Sequence, residues 1–364
     1  MQQATETSRT RVAVITGGTM GIGRATAVAF ARAGWSVAVL ARGEERLRST
    51  EAELKALGVA ALCLPVDVAD AAAVDAASTL IEEELGPVEA WVNNAMATVV
   101  SPAEDITPDE YRRVTEVTYL GQVFGTLAAL RLMRKRGKGA IVQVSSGLGV
   151  RAAPLQSAYC GAKAAVGGFT DSLRAELLHQ NSRITLTTVY LPAVNTPQFR
   201  RTRNHTGLAQ TAPDPVYDPR LCADAILHAV RSPRREVWVG RSTVQMALAQ
   251  AVVPGFADRK AAEMWDAQLD PSMPPPDPKG NLFDVDADDP GIDGPFTDRT
   301  QPQRGEFVTS QARELLTAGV AVVALLGVAA LLAPAAWAAK HVPLPHRTPH
   351  RTPHRPSLLR RTRW

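Results

Sequence analysis

Hydrophobic residues in the first 240 positions form short, largely apolar runs that alternate with longer segments of helical periodicity. Such runs are typical of strands buried on both faces of a parallel sheet. Segments between them, such as 22–34 and 45–58, carry apolar residues at helical spacing and end on glycine. This alternation predicts a doubly wound α/β fold with a parallel sheet of about seven strands. The runs lie at 11–16, 36–41, 61–66, 88–93, 140–145, 184–189 and 236–240.

The pattern changes near residue 262. Residues 266–303 contain nine Asp, many Pro and little periodicity. A stretch of this composition is typical of a linker that cannot bury a core. We therefore predict one folded domain at 1–262 and an acidic, Pro-rich linker at 263–312.

Residues 315–339 are 25 positions without a charge, and Trp337 lies near their end. At ~1.5 Å per residue, a helix of this length spans a hydrocarbon core of roughly 30 Å. We interpret 313–340 as a transmembrane or membrane-associated helix; the alternative is a buried helix of the folded domain. A spanning helix would export the basic tail at 341–364, against the positive-inside tendency. Whether the segment spans the membrane or lies on it stays open.

The net charge of +4 is unevenly distributed. The last 25 residues carry seven Lys or Arg and no acid, so the rest of the chain has a charge of +4 minus 7, or −3. This balance argues against a nucleic-acid-binding domain and favours contact of the tail with anionic lipid. The three cysteines show no disulfide or zinc spacing, and no metal site is predicted. The N-terminus lacks a secretory signal. We therefore expect a membrane-associated protein whose folded domain faces the cytoplasm.

A glycine-rich turn, "VITGGTMGIGRATA", follows the first apolar run and opens the first helical segment. Gly17, Gly21 and Gly23 fall where the chain must turn tightly and let a phosphate approach the backbone. The N-terminus of the following helix offers free N–H groups and a partial positive charge. A strand before the turn and a helix after it are the context of a dinucleotide-binding site.

Tyr159 and Lys163 lie four residues apart in "SAYCGAKAAV", which puts them on one face of a helix. The pair is common by chance, so the spacing alone carries little weight. Ser146, however, lies thirteen residues before Tyr159, after the fifth apolar run. A free tyrosine has a pKa of about 10. A nearby cation favours the phenolate and lowers that value, as acid–base catalysis near neutrality requires.

The order Thr-Gly-x-x-x-Gly-x-Gly, Asn-Asn-Ala, Ser and Tyr-x-x-x-Lys resembles the short-chain dehydrogenase/reductase family in its classical form, over about residues 10–240. The resemblance implies hydride transfer between a nicotinamide cofactor and an alcohol or carbonyl. Tyr159 would be the general acid in reduction and the general base in oxidation. Lys163 would lower the tyrosine pKa and hold the nicotinamide ribose, and Ser146 would stabilise the substrate oxygen.

The end of the second apolar run bears on the choice of cofactor. An NAD enzyme usually places an acid there to bind the adenosine ribose. Here Ala41 occupies that place and Arg42 follows, and an arginine can pair with a 2′-phosphate. NADP(H) is therefore favoured over NAD. The cofactor contacts predicted from the turn, from Arg42 and from the resemblance are Gly17, Thr19, Gly21, Ile22, Gly23, Arg42, Asp67, Val68, Asn94, Tyr159, Lys163, Val194 and Thr196.

Two positions depart from the family pattern. Thr118 stands where the resemblance implies a catalytic Asn that stabilises a helix kink, and Met96 replaces a glycine. Thr118 favours the alternative of a membrane-tethered NADP(H)-binding scaffold or sensor with little turnover. The membrane segment favours a lipophilic substrate. The resemblance further implies a homodimer or homotetramer that uses the helix containing Tyr159.

Overall fold

The structure, a computed structural model, describes residues 11–275, 277–285, 288–301 and 307–309. The chain divides into two units, residues 1–313 and 314–364. The predicted membrane segment at 315–339 and the basic tail lie outside the described residues. Among the helices of the described ranges, none is both long and apolar enough to cross a membrane.

A twisted sheet forms the centre of the first unit. Within the described residues it has eight strands, which are β1 (Val12–Thr16), β2 (Ser36–Ala41), β3 (Ala61–Pro65), β4 (Val88–Asn93), β6 (Lys138–Ser146), β7 (Arg183–Leu191), β11 (Glu236–Val239) and β14 (Phe307–Thr309). Their order in the sheet is β14-β11-β7-β6-β4-β1-β2-β3. Seven are parallel, as the apolar runs predicted, and β14 pairs antiparallel with β11. Short strands outside this sheet are β5 (Val99–Val100), β8 (Arg203–Asn204), β9 (Ala209–Gln210), β10 (Val216–Tyr217), β12 (Leu269–Asp270) and β13 (Thr300–Gln301).

Helices cover both faces of the sheet. They are α1 (Gly21–Arg32), α2 (Glu44–Ala56), α3 (Ala71–Leu85), α4 (Pro108–Thr115), α5 (Gly121–Arg134), α6 (Ser157–His179), α7 (Pro219–Arg231), α8 (Arg241–Val252), α9 (Pro254–Ala262) and α10 (Met264–Ala267). Helices α1, α2 and α7 bury their apolar residues on one face, and α3, α5 and α6 on the other. Burial of these two apolar layers holds the sheet in place.

The order of the sheet fixes where a ligand can bind. Strand β1 lies between β2 and β4, so the chain runs outward in both directions from this point. In open α/β sheets, ligands bind beyond the carboxyl ends of the strands at such a reversal. The glycine-rich turn after β1, Arg42 after β2 and Asn94 after β4 all lie at this edge.

The prediction of an unfolded linker at 263–312 is wrong for the described part of that range. Strand β12 pairs with β9, β13 pairs with β10, and β14 extends the main sheet. Leu282 and Phe296 are 1% and 4% exposed. Three of the acidic residues that suggested a solvated linker, Asp288, Asp289 and Asp293, are paired with arginines of the first 262 residues. Low periodicity did not exclude folding, because this stretch packs onto a surface that is already formed.

Candidate active site

The glycine-rich turn joins the end of β1 to the start of α1. Gly17 and Gly21 have φ of +66° and +54°, in the region that favours glycine. A Cβ at Gly23 would lie 2.1 Å from the carbonyl oxygen of Gly17, so only glycine fits there. Thr19 and Ile22 line a cavity beside this turn, as the resemblance implied. The helix N-terminus at this cavity is suited to a diphosphate.

Asn94 ties the end of β4 to the same turn. Its side-chain Nδ2 donates to the carbonyl oxygens of Thr16 at 3.0 Å and Gly17 at 3.2 Å. Its backbone N–H donates to the Thr16 hydroxyl at 2.9 Å. Asn94 therefore fixes the shape of the turn and also lines the cavity.

Asp67 and Val68 line the cavity on the side of β3. The Asp67 carboxylate accepts hydrogen bonds from Arg113 at 2.5 Å and from the Ala69 N–H at 3.0 Å. Burial alone would raise the pKa of Asp67, but these two donors and the positive charge hold it below its ordinary value. Asp67 is therefore ionised near neutrality, and its charge is largely balanced by Arg113.

Arg42 lies at the cavity but directs its guanidinium to the segment that was predicted to be a linker. Its Nη2 donates to the carbonyl of Asn281 at 2.7 Å, and its Nη1 to those of Phe283 at 2.9 Å and Leu282 at 3.3 Å. Burial and the nearby Arg113 lower the pKa of Arg42. Main-chain carbonyls are neutral, so they orient the guanidinium without cancelling its charge.

Ser146, Tyr159 and Lys163 line a second cavity. Ser146 ends β6, and α6 presents the other two residues from its first two turns. The Ser146 hydroxyl lies close enough to Tyr159 to influence its pKa. The Lys163 ammonium donates to the Val144 carbonyl at 2.7 Å and lies 5.7 Å from the centre of the Tyr159 ring. The sequence-predicted trio is thus brought to one cavity wall.

The electrostatics of this trio differ from the expectation that Lys163 lowers the pKa of Tyr159. Burial raises the pKa of Tyr159, and the nearby Ser146 hydroxyl opposes that rise. Burial also lowers the pKa of Lys163 to about 7. The lysine is 2% exposed and is held by a neutral carbonyl, so desolvation dominates over the attraction between the two side chains.

Thr118 lies in a one-turn π-helix, Glu116–Leu120, between α4 and α5. Its hydroxyl accepts the Ala97 N–H at 2.9 Å and donates to the Ala97 carbonyl at 2.8 Å. Thr118 is fully buried and is not among the lining residues of the two cavities. A π-helix is a local irregularity that often accompanies functional sites. Here the two hydrogen bonds of Thr118 to Ala97 hold the π-helix against the loop after β4.

The two cavities adjoin. The cavity at the glycine-rich turn measures about 190 Å³ and the cavity at Tyr159 about 370 Å³. Val194 lines the second cavity but not the first. The lining residues that both share are Ile22, Asn94, Met96, Thr196 and Gln198. A ligand that extends from the glycine-rich turn past Thr196 would therefore reach Tyr159.

Sequence reasoning missed three polar side chains of the first cavity: Arg46, Gln198 and Asn281. Arg46 follows Arg42 by four residues, and this spacing could have marked it as a second cation near the adenosine end. Asn281 carries no comparable signal, because it lies in the acidic stretch that was read as a linker. Its side chain exchanges hydrogen bonds with Gln198 at 3.1 and 3.2 Å.

The fold and site define a dinucleotide-dependent oxidoreductase of the α/β type. Residues 11–207 match the short chain dehydrogenase family, and the chain belongs to it. An uncharacterized oxidoreductase of Bacillus subtilis, YxnA, is 32% identical over 252 residues, which cover 68% of this chain and 70% of that protein. A crystal structure of a short-chain dehydrogenase from Streptomyces avermitilis is 27% identical with a TM-score of 0.59, covering 71% of this chain and 96% of that chain.

The relatives with named activities include two reductases that are each 33% identical to this chain. A fatty acyl-CoA reductase of Acinetobacter baylyi is 33% identical over 234 residues, or 63% of this chain and 76% of that protein. A 3-dehydrosphinganine reductase of Danio rerio is 33% identical over 191 residues, or 51% of this chain and 57% of that protein. Family membership makes this chain an oxidoreductase that binds a nicotinamide cofactor and acts on alcohol or carbonyl groups. The residues at the first cavity fit such a cofactor, because they combine an anion-binding turn with an adenosine-side carboxylate.

Proposed function

We propose that this protein is an NADP(H)-dependent oxidoreductase that interconverts a lipophilic carbonyl compound and its alcohol. The observation that carries the proposal is that Ser146, Tyr159 and Lys163 meet at one cavity, which adjoins the glycine-rich turn. The bound cofactor would supply or accept the hydride at carbon. The proton at oxygen is the task of the protein's own residues.

Tyr159 is the proton donor in reduction and the acceptor in oxidation. Ser146 donates a hydrogen bond to the substrate oxygen, where negative charge develops. It also opposes the rise in the tyrosine pKa that burial causes. Lys163 has a pKa of about 7, so it can move between the charged and neutral forms near neutrality. We assign it the support of the nicotinamide ribose and of the proton path behind Tyr159.

The preference for NADP(H) rests on charge at the adenosine end. Arg42 and Arg46 both line the cavity, and Ala41 provides no carboxylate for a ribose hydroxyl. The nearest acid, Asp67, is paired with Arg113. The net positive charge at the adenosine end of the cavity attracts a 2′-phosphate more than it attracts a hydroxyl. NAD(H) is the less favoured cofactor.

The preference for a lipophilic substrate rests on the cavity at Tyr159. Its apolar lining includes Leu148, Leu191, Phe199, Met246 and Met264. Methionine adapts to irregular apolar ligands. Two relatives named as a fatty acyl-CoA reductase and a 3-dehydrosphinganine reductase support the same preference.

Membrane attachment, cytoplasmic placement and self-association are further parts of this proposal. The uncharged segment at 315–339 supports contact with membrane lipid. Helices α8 to α10, which carry Met246 and Met264, also expose Val252, Phe256 and Trp265. A substrate that partitions into lipid suits such an enzyme. The family resemblance supports a homodimer or homotetramer, and the nicotinamide cofactor supports a domain that faces the cytoplasm.

The test is a panel of long-chain ketones, aldehydes and alcohols assayed with NADPH and NADH side by side. We expect turnover of at least one long-chain carbonyl and a higher kcat/KM with NADPH. Arg46→Ala should weaken NADPH binding and leave NADH binding nearly unchanged. Arg42→Ala also removes hydrogen bonds to the carbonyls of residues 281–283, so it should weaken the binding of both nucleotides, and that of NADPH more. Equal effects on both nucleotides would contradict the 2′-phosphate assignment. Tight NADPH binding without consumption across the panel would favour the scaffold alternative.

A further inference from the structure

A strap of the chain, residues 279–285 and 288–296, runs along the cofactor cavity. At the adenosine end, its carbonyls accept hydrogen bonds from Arg42. Beside the glycine-rich turn, the Gly291 carbonyl accepts the Gly21 N–H at 3.0 Å. Near Thr196, the Phe296 N–H donates to the Asn195 side chain at 2.9 Å. The strap therefore contacts the body of the protein at both ends and at the middle of the cavity.

Ion pairs hold the middle of the strap. Asp289 accepts both hydrogen bonds from one nitrogen of Arg24, at 2.6 and 2.7 Å, and a third from the Ser49 hydroxyl at 2.5 Å. Asp293 accepts two from Arg220 at 2.6 and 2.8 Å. Asp288 pairs with Arg201. In each pair the acid comes from the strap and the base from the body of the protein.

Apolar contacts and close backbone approaches hold its ends. Leu282 is 1% exposed, and Phe296 packs edge-to-face on Phe199 with ring centres 5.1 Å apart. A Cβ at Gly280 would lie 2.3 Å from the backbone nitrogen of Arg203. A Cβ at Gly294 would lie 2.4 Å from the carbonyl oxygen of Thr196. The backbone of the strap is thus in direct contact with the body at two points.

We propose that the strap is the outer wall of the cofactor site and that its detachment controls exchange of the dinucleotide. The inference rests on the nicotinamide cofactor of the family, and it holds for either NADP(H) or NAD(H). A dinucleotide between the glycine-rich turn and Arg42 lies beneath strap residues that are bonded to both. Asn281, which lines the cavity itself, is the strap's direct contribution to the site.

The composition of the strap suits repeated opening. Asp289 and Asp293 are 25% and 49% exposed in their side chains, and partly exposed ion pairs are individually weak. Segments held by few apolar contacts open locally at a small fraction of the global unfolding free energy. Opening of lids and loops limits turnover in many enzymes. We therefore expect cofactor release to be slow in the wild type and to depend on these ion pairs.

The first experiment measures NADPH release by stopped-flow fluorescence, with excess NADP⁺ as the competitor. The variant is Asp289→Asn with Asp293→Asn, in the full chain. The release rate should rise by roughly tenfold, which corresponds to about 1.4 kcal/mol. Asp298→Asn, at an exposed acid of the same acidic stretch, is the matched control and should release NADPH at the wild-type rate. A wild-type rate in the double variant would overturn the proposal.

A second variant moves the rate in the opposite direction. Ser49→Cys with Asp289→Cys joins the strap to α2 by a disulfide under oxidation. Release should become slower than in the wild type when oxidised, and faster when a reductant opens the bond. Ser49→Cys alone controls for the oxidant. If the oxidised form releases NADPH as fast as the reduced form, the strap does not control exchange.

The same measurements with NADH separate this inference from the choice of cofactor. If NADH binds more tightly than NADPH and its release responds to the strap variants, the strap inference stands and the NADP(H) proposal fails. If the wild type binds neither nucleotide, both fail together. A response of NADPH release alone, with NADH binding too weakly to follow, supports both.

Discussion

The sheet and the strap are the two walls of one cofactor cavity, and they are held by different forces. Val14, Val39 and Val92, on strands beside the cavity, have no exposed surface, and apolar packing on both faces holds them. The strap depends on acid–arginine pairs and on two buried side chains, Leu282 and Phe296. Apolar burial of this extent is worth several kcal/mol per large residue, whereas a partly exposed ion pair contributes about 1 kcal/mol or less. One wall is therefore built to stay closed and the other to open.

The largest effect should come from the chemistry that the rigid wall carries. Tyr159→Phe removes the proton donor, and kcat should fall by roughly 10²–10⁴-fold. The release rate of NADPH should change far less than kcat, because the strap is untouched. Steady-state assays and stopped-flow release on the same preparation test both statements. A mutant as active as the wild type would refute the acid–base role of Tyr159.

The next largest effect should be on the free energy of unfolding, and it should differ between the two walls. Ile141 is 1% exposed in β6, and Ile141→Ala should lower the free energy of unfolding by about 2–5 kcal/mol. Asp293→Asn should lower it by at most about 1 kcal/mol, because only one partly exposed pair is lost. Urea unfolding followed by circular dichroism measures both. Equal losses would mean that the strap is part of the global folding unit.

Lowering the pH should have a smaller effect on NADPH release. The arginine partners hold the pKa values of Asp289 and Asp293 below their ordinary range, even though burial alone would raise them. A lowered pKa in the closed state stabilises that state above the ordinary Asp value of about 3.9, and the gain is lost as pH falls below it. NADPH release in pH-jump mixing should therefore accelerate as the pH falls below about 4. The Asp289→Asn, Asp293→Asn variant should show a flatter profile, and an equal slope would place the titrating groups elsewhere.

Periodicity predicted the sheet because each parallel strand is a continuous apolar run, and such a run has few alternative structures. The positions of the motif residues could then be predicted as well, since Gly17, Asn94 and Ser146 lie where those strands end. The electrostatics of Tyr159 and Lys163 could not be predicted, because desolvation depends on tertiary burial that spacing does not encode. The strap was misread because its stabilising partners, Arg24 and Arg220, lie far away in sequence. Composition describes a segment alone and does not describe the surface that receives it.

The close approaches at Gly280 and Gly294 have a consequence for how the strap can vary. They fix the position of the chain at both ends, and Asp288, Asp289 and Asp293 between them each face a particular arginine. The strap therefore has a set length as well as a composition. Exchanging exposed side chains other than the paired acids should be tolerated, whereas inserting or deleting one residue next to Asp289 would shift the acids out of step with Arg24 and Arg220. The number of residues in the strap is therefore constrained, even though its composition is typical of a linker.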